Sequence, residues 1–209
     1  LDTTPELFPQ RAVVACQGIE GAYSQIACDS IFKSPSILYF NTFEHVFKAV
    51  ESGMCQYGIL PIENSTAGSV NAIYDLMIQH NFSIVRSVRL KVSHNLLAKH
   101  GTKLGDIREV FSHEQAISQC ADYLAGMKNI KVTMVENTAV AARMVAQSDR
   151  TDVAAISSRF CGEEYGLNLV QTNVQDQDNN YTRFICISKI PEIYPGADRT
   201  SLMMTLPHR

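Results

Sequence analysis

"IVRSVRLKVSHNL", residues 84–96, mainly alternates: Ile84, Val88, Leu90, Val92 and Leu96 take even positions, and Ser87, Arg89, Lys91, Ser93 and Asn95 take odd ones. Successive side chains of a strand point to opposite faces, so the pattern predicts one long strand with an apolar face. On both sides of it, short β-type runs alternate with helical patterns. Before it come the strand "AVVACQG" (12–18), a helix from about Ala22, the helix "FEHVFKAVES" (43–52), the strand "YGILP" (57–61) and the helix "NAIYDLMIQH" (71–80). After it come the strand "REVFS" (108–112), a helix over 114–127 and the strand "IKVTMV" (130–135). A helix over about 138–147, the strand "DVAAIS" (152–157) and a short helix to Gly166 follow. Strands alternating with helices imply parallel sheets covered by helices. Two such series joined by one long strand predict two α/β lobes, with residues 84–96 crossing between them.

The 209 residues are 45% hydrophobic and carry a formal net charge of −3, enough chain for a substantial core and the wrong charge for a nucleic-acid binder. No run of about 18 apolar residues occurs, so no membrane span is expected, and no secretory signal is visible at the start. Six cysteines, at 16, 28, 55, 120, 161 and 186, lie mostly inside apolar segments and form no C-x-x-C pair. They read as reduced, buried thiols and a cytoplasmic protein. Six histidines show no metal-ligand spacing, and neither a P-loop nor a G-x-S-x-G elbow is present. After "ICISKI", the stretch "PEIYPGADRT" (191–200) reads as a linker, and the end, "TSLMMTLPHR" (200–209), as the first strand of a further domain.

Polar side chains recur where strands run into helices: Asn64 and Ser65, Ser112, Asn137 and Thr138, Ser157 and Ser158, with Ser24 behind two glycines. Each is a ready N-cap. Together they also suit an anion site, because such exits converge on the ligand crevice of open α/β sheets and helix N-termini favour negative charge. A last junction is "DQDNNYTRF" (176–184), polar and then apolar, where Thr182 is either a strand former or the residue that does chemistry.

The ordered segments "GIEGAYS" (18–24), "PIENSTAGS" (61–69), "HNLL" (94–97), "SHEQAISQC" (112–120) and "QDQDNNYTRF" (175–184) resemble the prephenate dehydratase family across about residues 12–188. The resemblance implies a two-lobed α/β fold like that of type II periplasmic binding proteins, with the active site in the cleft. It divides the chain into an N-terminal segment (1–10), a first lobe (11–91 plus 174–190), a second lobe (92–173), and a linker with the cut start of an ACT regulatory domain (191–209). It implies decarboxylating dehydration of prephenate to phenylpyruvate, without cofactor or metal, as a carbon–oxygen lyase of phenylalanine biosynthesis. Partners implied are the small-molecule substrate, a second copy in a homodimer, and phenylalanine as effector of the missing ACT domain; neither nucleic acid nor membrane is among them.

Carried over position by position, the resemblance makes Thr182 catalytic and puts Glu63, Asn64, Ser112 and Gln119 at the substrate, with Ser65, Thr138, Asn180 and Phe184 around them. Gln119, one turn into the helix after Ser112, is expected to face the same cleft. Glu63 is expected to bind helix amides and orient Asn64. If 182–188 is a strand, Asn180, Thr182 and Phe184 share the cleft face and Arg183 points away to a carboxylate. The chain departs from the family pattern at Glu114, where proline is usual, and at Ile156-Ser157-Ser158. Two other readings stay open: the same chemistry on arogenate, the amino counterpart of prephenate, and a non-catalytic module that binds or senses a small carboxylate.

Overall fold

A computed structural model describes residues 7–200. The strand expected within 200–209 and the first six residues of the N-terminal segment lie outside the described residues. Strands β1 (Val13–Gln17), β2 (Ser36–Phe40), β3 (Tyr57–Asn64), β4 (Gly68–Ser69) and β5 (Ser83–Lys91) alternate with helices α1 (Tyr23–Ile31), α2 (Phe43–Glu51) and α3 (Asn71–Gln79). Then follow β6 (Asn95–Ala98), β7 (Glu109–Ser112), β8 (Lys131–Met134), β9 (Val153–Ser157) and β10 (Asn168–Gln171), with helices α4 (Glu114–Gln119), α5 (Ala121–Gly126), α6 (Thr138–Gln147) and α7 (Arg159–Glu164). The last strand is β11 (Tyr181–Ser188). The first sheet has the order β2-β1-β3-β11-β5, with β4 on β3, and the second has β10-β6-β9-β7-β8. This is the expected two-lobed α/β architecture: the chain leaves the first sheet, builds the second, and returns with β11, which lies antiparallel between β3 and β5.

The 84–96 stretch is not one strand. β5 ends at Lys91 and β6 begins at Asn95, because the two halves pair in different sheets. The backbone between them is held by other partners. Tyr23 Oη donates to the Ser93 carbonyl at 3.0 Å and accepts from the Ser93 amide at 3.1 Å. The Val92 amide donates to the Asn180 carbonyl, the Val174 amide to the His94 carbonyl, and the His94 amide to Gln175 Oε1. The outgoing crossing is therefore laced to the returning one, which gives the amides of Val92 and His94 partners outside the ladders.

The helix expected over 114–127 is two helices, since Cys120 leaves the helical region (φ −121°, ψ 24°) and ends α4 at Gln119. Apolar periodicity runs through the break because both pieces pack on one cluster, with Ala116, Cys120 and Leu124 against Leu96, Val110 and Ile156. β2, the two-residue β4 and the short β10 were not anticipated; "SILYF" is β-branched and aromatic but lies on an edge and is only partly buried. In the first lobe the sheet is covered on one face by α1, with Ala27 and Cys28, and on the other by α2, with Val46, Phe47 and Val50. α2 lies so close to β3 that a Cβ on Gly58 would come within 2.9 Å of Val46 Cγ1, so glycine sets that distance. All six cysteines are unbridged and buried. The linker packs back on the first lobe: Tyr194 is buried, edge-on to Phe8 with ring centroids 4.9 Å apart, and donates to Glu192 Oε2.

Candidate active site

β11 carries Thr182 in register with Asn64 of β3 and Leu90 of β5, while Arg183 lies opposite Glu63 and Arg89. Strand alternation then separates the two pairs. Asn64 and Thr182 meet on one face: Asn64 Nδ2 donates to Thr182 Oγ1 at 2.9 Å and to Asn180 Oδ1 at 2.7 Å. On the other face Arg183 Nε lies 3.5 Å from Glu63 Oε2. The Asn64 side chain also closes the turn after β3. Its Oδ1 accepts from the amides of Thr66 and Ala67, at 3.0 and 2.9 Å, and from the Thr66 hydroxyl at 2.7 Å. An asparagine at the start of a turn does this readily, because its carbonyl mimics a backbone acceptor.

The second lobe contributes Gln119, the last residue of α4. Gln119 Nε2 donates to Thr66 Oγ1 at 2.7 Å, and Gln119 Oε1 accepts from Asn180 Nδ2 at 2.8 Å. His94, 3% exposed on the outgoing crossing, places Nε2 2.8 Å from the same Gln119 oxygen. Burial pushes the His94 imidazole below its ordinary value, which the Gln119 contact partly offsets. Beside these groups lies a cavity of about 280 Å³ lined by Thr66, Ser118, Gln119, Gln175, Asp176, Gln177 and Asn180. Small-molecule sites begin at about this size, and amide and hydroxyl groups fix a ligand's orientation there. The described residues include no group of three His, Cys, Asp or Glu side chains able to hold a metal ion.

Asn64, Gln119, Asn180 and Thr182 thus come together as the sequence led us to expect. The other expected residues do not join them. Glu63 is exposed and turned to Arg183, because neighbouring residues of a strand face opposite ways; it binds no helix amide and does not orient Asn64. Ser112 is fully buried, and its hydroxyl donates to the Ile156 carbonyl, tying β7 to β9; it does not share a face with Gln119. Ser65 clamps the return loop, donating to the Asn179 carbonyl and accepting from the Tyr181 amide. Thr138 opens α6, where its carbonyl accepts from Ser157 Oγ at 2.8 Å. Phe184 does stand on the Thr182 side of β11, but it is 3% exposed and packed with Phe32, Tyr57 and Ile59 in the core. Asn137 and Ser158 serve as caps for Val140 and Cys161, so the capping reading holds for these exits. Two participants were missed, Thr66 and His94. Both lie inside the segments "NSTAG" and "HNLL", and the signal that marks them is their place at a turn and at the lobe crossing.

A prephenate dehydratase family model matches residues 14–192. The chain is 39% identical over 199 residues to arogenate dehydratase/prephenate dehydratase 2 of Arabidopsis thaliana, covering 94% of this chain and 52% of that protein. It spans about half the length of the curated relatives it matches. Among solved structures, prephenate dehydratase of Arthrobacter aurescens in complex with L-Phe superposes with a TM-score of 0.78 at 26% identity, over 90% of this chain and 63% of that one. A structure described as a novel type of quorum-quenching acylase superposes with a TM-score of 0.77 at 32% identity, over 86% of this chain and 64% of that one.

Proposed function

The chain belongs to the prephenate dehydratase family, and from that premise we propose that it converts prephenate to phenylpyruvate, carbon dioxide and water, as a carbon–oxygen lyase of phenylalanine biosynthesis, with Thr182 as its catalytic residue. The observation that carries the proposal is the polarity of the Asn64–Thr182 contact. Asn64 is the donor there, so Thr182 Oγ1 accepts and keeps its own proton to give.

Prephenate bears a carboxylate on a ring carbon and a hydroxyl across the ring. When the bond to the carboxylate breaks, its electron pair enters the ring, the bond to the hydroxyl breaks, and the ring becomes aromatic. The driving force lies in the substrate, so the protein has two tasks: to hold the ring in the reactive pose and to ease the departure of hydroxide. A positioned donor at the departing oxygen contributes about 10²–10⁴-fold. Such a donor counts for more in a cleft where other fixed groups replace water. Thr182 donates a hydrogen bond to the leaving oxygen, which then completes water with a proton from solvent. The amide groups of Gln119 and Asn180 face the cavity and orient the polar side chain of the substrate.

A threonine that was instead to attack an acyl carbon would need a base to take its proton. Among the described residues the only side-chain partner of Thr182 is an amide donor, which favours the dehydration over an acylase reaction. The likeness to a relative described as arogenate dehydratase/prephenate dehydratase supports arogenate as a second substrate. A cytoplasmic location belongs to the same proposal. So do a homodimer and a phenylalanine effector site in a following ACT domain. Spectroscopic detection of phenylpyruvate from prephenate, with phenylalanine formation from arogenate measured alongside, tests the reaction. Turnover of prephenate is expected; binding of prephenate without turnover would return the chain to a sensor or carrier role.

A further inference from the structure

His94 has no part in the reaction proposed above, yet it is buried at the lobe crossing with one nitrogen, Nδ1, lacking any partner among the described residues. Its other nitrogen enters a closed circuit. Gln119 Nε2 donates to Thr66 Oγ1, the Thr66 hydroxyl donates to Asn64 Oδ1, Asn64 Nδ2 donates to Asn180 Oδ1, and Asn180 Nδ2 donates back to Gln119 Oε1. The direction of such a ring is set wherever one member has no choice. That member is Asn64, whose Oδ1 faces the backbone amides of Thr66 and Ala67. A backbone amide only donates, so the Asn64 oxygen must lie there and its nitrogen must lie toward Asn180 and Thr182. Asn180 must then present oxygen to Asn64 and nitrogen to Gln119. Gln119 must present oxygen, and His94 can meet that oxygen only with a proton on Nε2.

Resting on the dehydratase reading, we infer that His94 is a positioning residue: its Nε2 proton holds the Gln119 amide in the one orientation that keeps the Asn180 oxygen on the Asn64 nitrogen, the nitrogen that also donates to Thr182. Without that donor the Gln119 amide is held by Thr66 and Asn180 alone, and its turned orientation becomes easier to reach. A turned Gln119 meets Asn180 with nitrogen against nitrogen. Asn180 follows by offering nitrogen to Asn64, and the Asn64 nitrogen loses one of its two acceptors. The cost reaches Asn64, the donor to Thr182, through Gln119 and Asn180, and of these only Gln119 meets His94. The bare Nδ1 is consistent with this role. A neutral imidazole has one donor nitrogen, and the ring claims it.

The test uses the full chain with prephenate as substrate. His94→Leu, folded as judged by its melting temperature and circular dichroism, is expected to lower kcat by about 10–10²-fold, the scale of a misplaced group near the chemistry. KM should change less than about threefold, the split expected when an interaction acts on the reacting state. His94→Gln, whose side-chain amide can donate from near the Nε2 position, is expected to restore most of kcat. Wild-type kcat in His94→Leu overturns the inference, and so does a folded His94→Gln as slow as His94→Leu. Nitrogen NMR of labelled histidine in the unsubstituted chain gives an independent reading: the proton is expected on Nε2 at neutral pH, and a proton on Nδ1 overturns the inference. That measurement decides the matter even if His94→Leu does not fold. It also stands if the unsubstituted chain fails to turn over prephenate, an outcome that would sink the proposed reaction alone.

Discussion

The two lobes end their strands in similar polar residues and use them differently. In the second lobe, the residues at or just beyond the ends of β7, β8 and β9 are spent on the backbone. Ser112 donates to Ile156, Asn137 caps Val140, Ser157 donates to Thr138, and Ser158 caps Cys161. Asn137 and Ser158 accept from helix amides that lack intrahelical partners, and Ser112 and Ser157 donate to backbone carbonyls. In the first lobe, β3 runs instead into the turn before β4, and the amides of that turn take only the Asn64 oxygen. An amide side chain has a second function to offer, and the Asn64 nitrogen goes to Thr182 and Asn180. A hydroxyl spent on a cap has nothing comparable left. The lobes thus differ in the element each strand runs into: Asn137 owns the same amide as Asn64, but its oxygen caps α6.

That contrast breaks if a second-lobe exit proves more important to turnover than a first-lobe one. Thr182→Val should have the largest effect, a fall in kcat of about 10²–10⁴-fold with the fold intact, read from phenylpyruvate formation and the thermal midpoint. Asn64→Asp should come next, at about 10²-fold. The substitution keeps the oxygen that the turn amides need, but it replaces the donor to Thr182 with an acceptor that draws the threonine proton away from substrate.

A third effect concerns stability and falls within the second lobe. Glu109 accepts from Thr133 Oγ1 and pairs with Arg150 and Lys131, and these contacts hold its carboxyl down to about 2, from an ordinary value of 4.5. Its stabilising contribution is complete above the ordinary carboxylate range and drains as pH falls through about 2. Glu109→Gln should therefore destabilise the chain at pH 7 and flatten its acid-denaturation profile, with kcat unchanged, as followed by melting across pH. The smallest effect belongs to Ser158→Ala, a lost cap costing about 0.5–2 kcal/mol of stability with kcat within about twofold. A large loss of turnover there would erase the distinction between the lobes.

The α/β class and the two-lobed layout were legible because hydrophobic periodicity reports which face of an element is buried. The same signal misled at residues 84–96 and at 114–127. Burial on one side continues through Val92–His94 and through Cys120, although the backbone changes sheet in one place and leaves the helix in the other. Thr182 and Arg183 were separable from alternation alone, whereas Glu63 and Asn64 were not, because the strand read from the sequence stopped at Pro61 and β3 runs on to Asn64. Phe184 shows the limit of that rule: facing the same way as Thr182 does not put a side chain in the cleft when the core begins one step further along the strand. The places of His94 and Thr66, at the crossing and at a turn, were legible, but their roles were not, since these lie in a ring closed by residues up to 116 positions apart.

Asn64 acts through Thr182, and the double variant Asn64→Asp/Thr182→Val tests that most directly. Interactions that work as one unit are not additive, so the rate of conversion of bound prephenate in the double variant should lie within about twofold of Thr182→Val alone. Losses that multiply, with the double variant slower by the product of the two single effects, would contradict it.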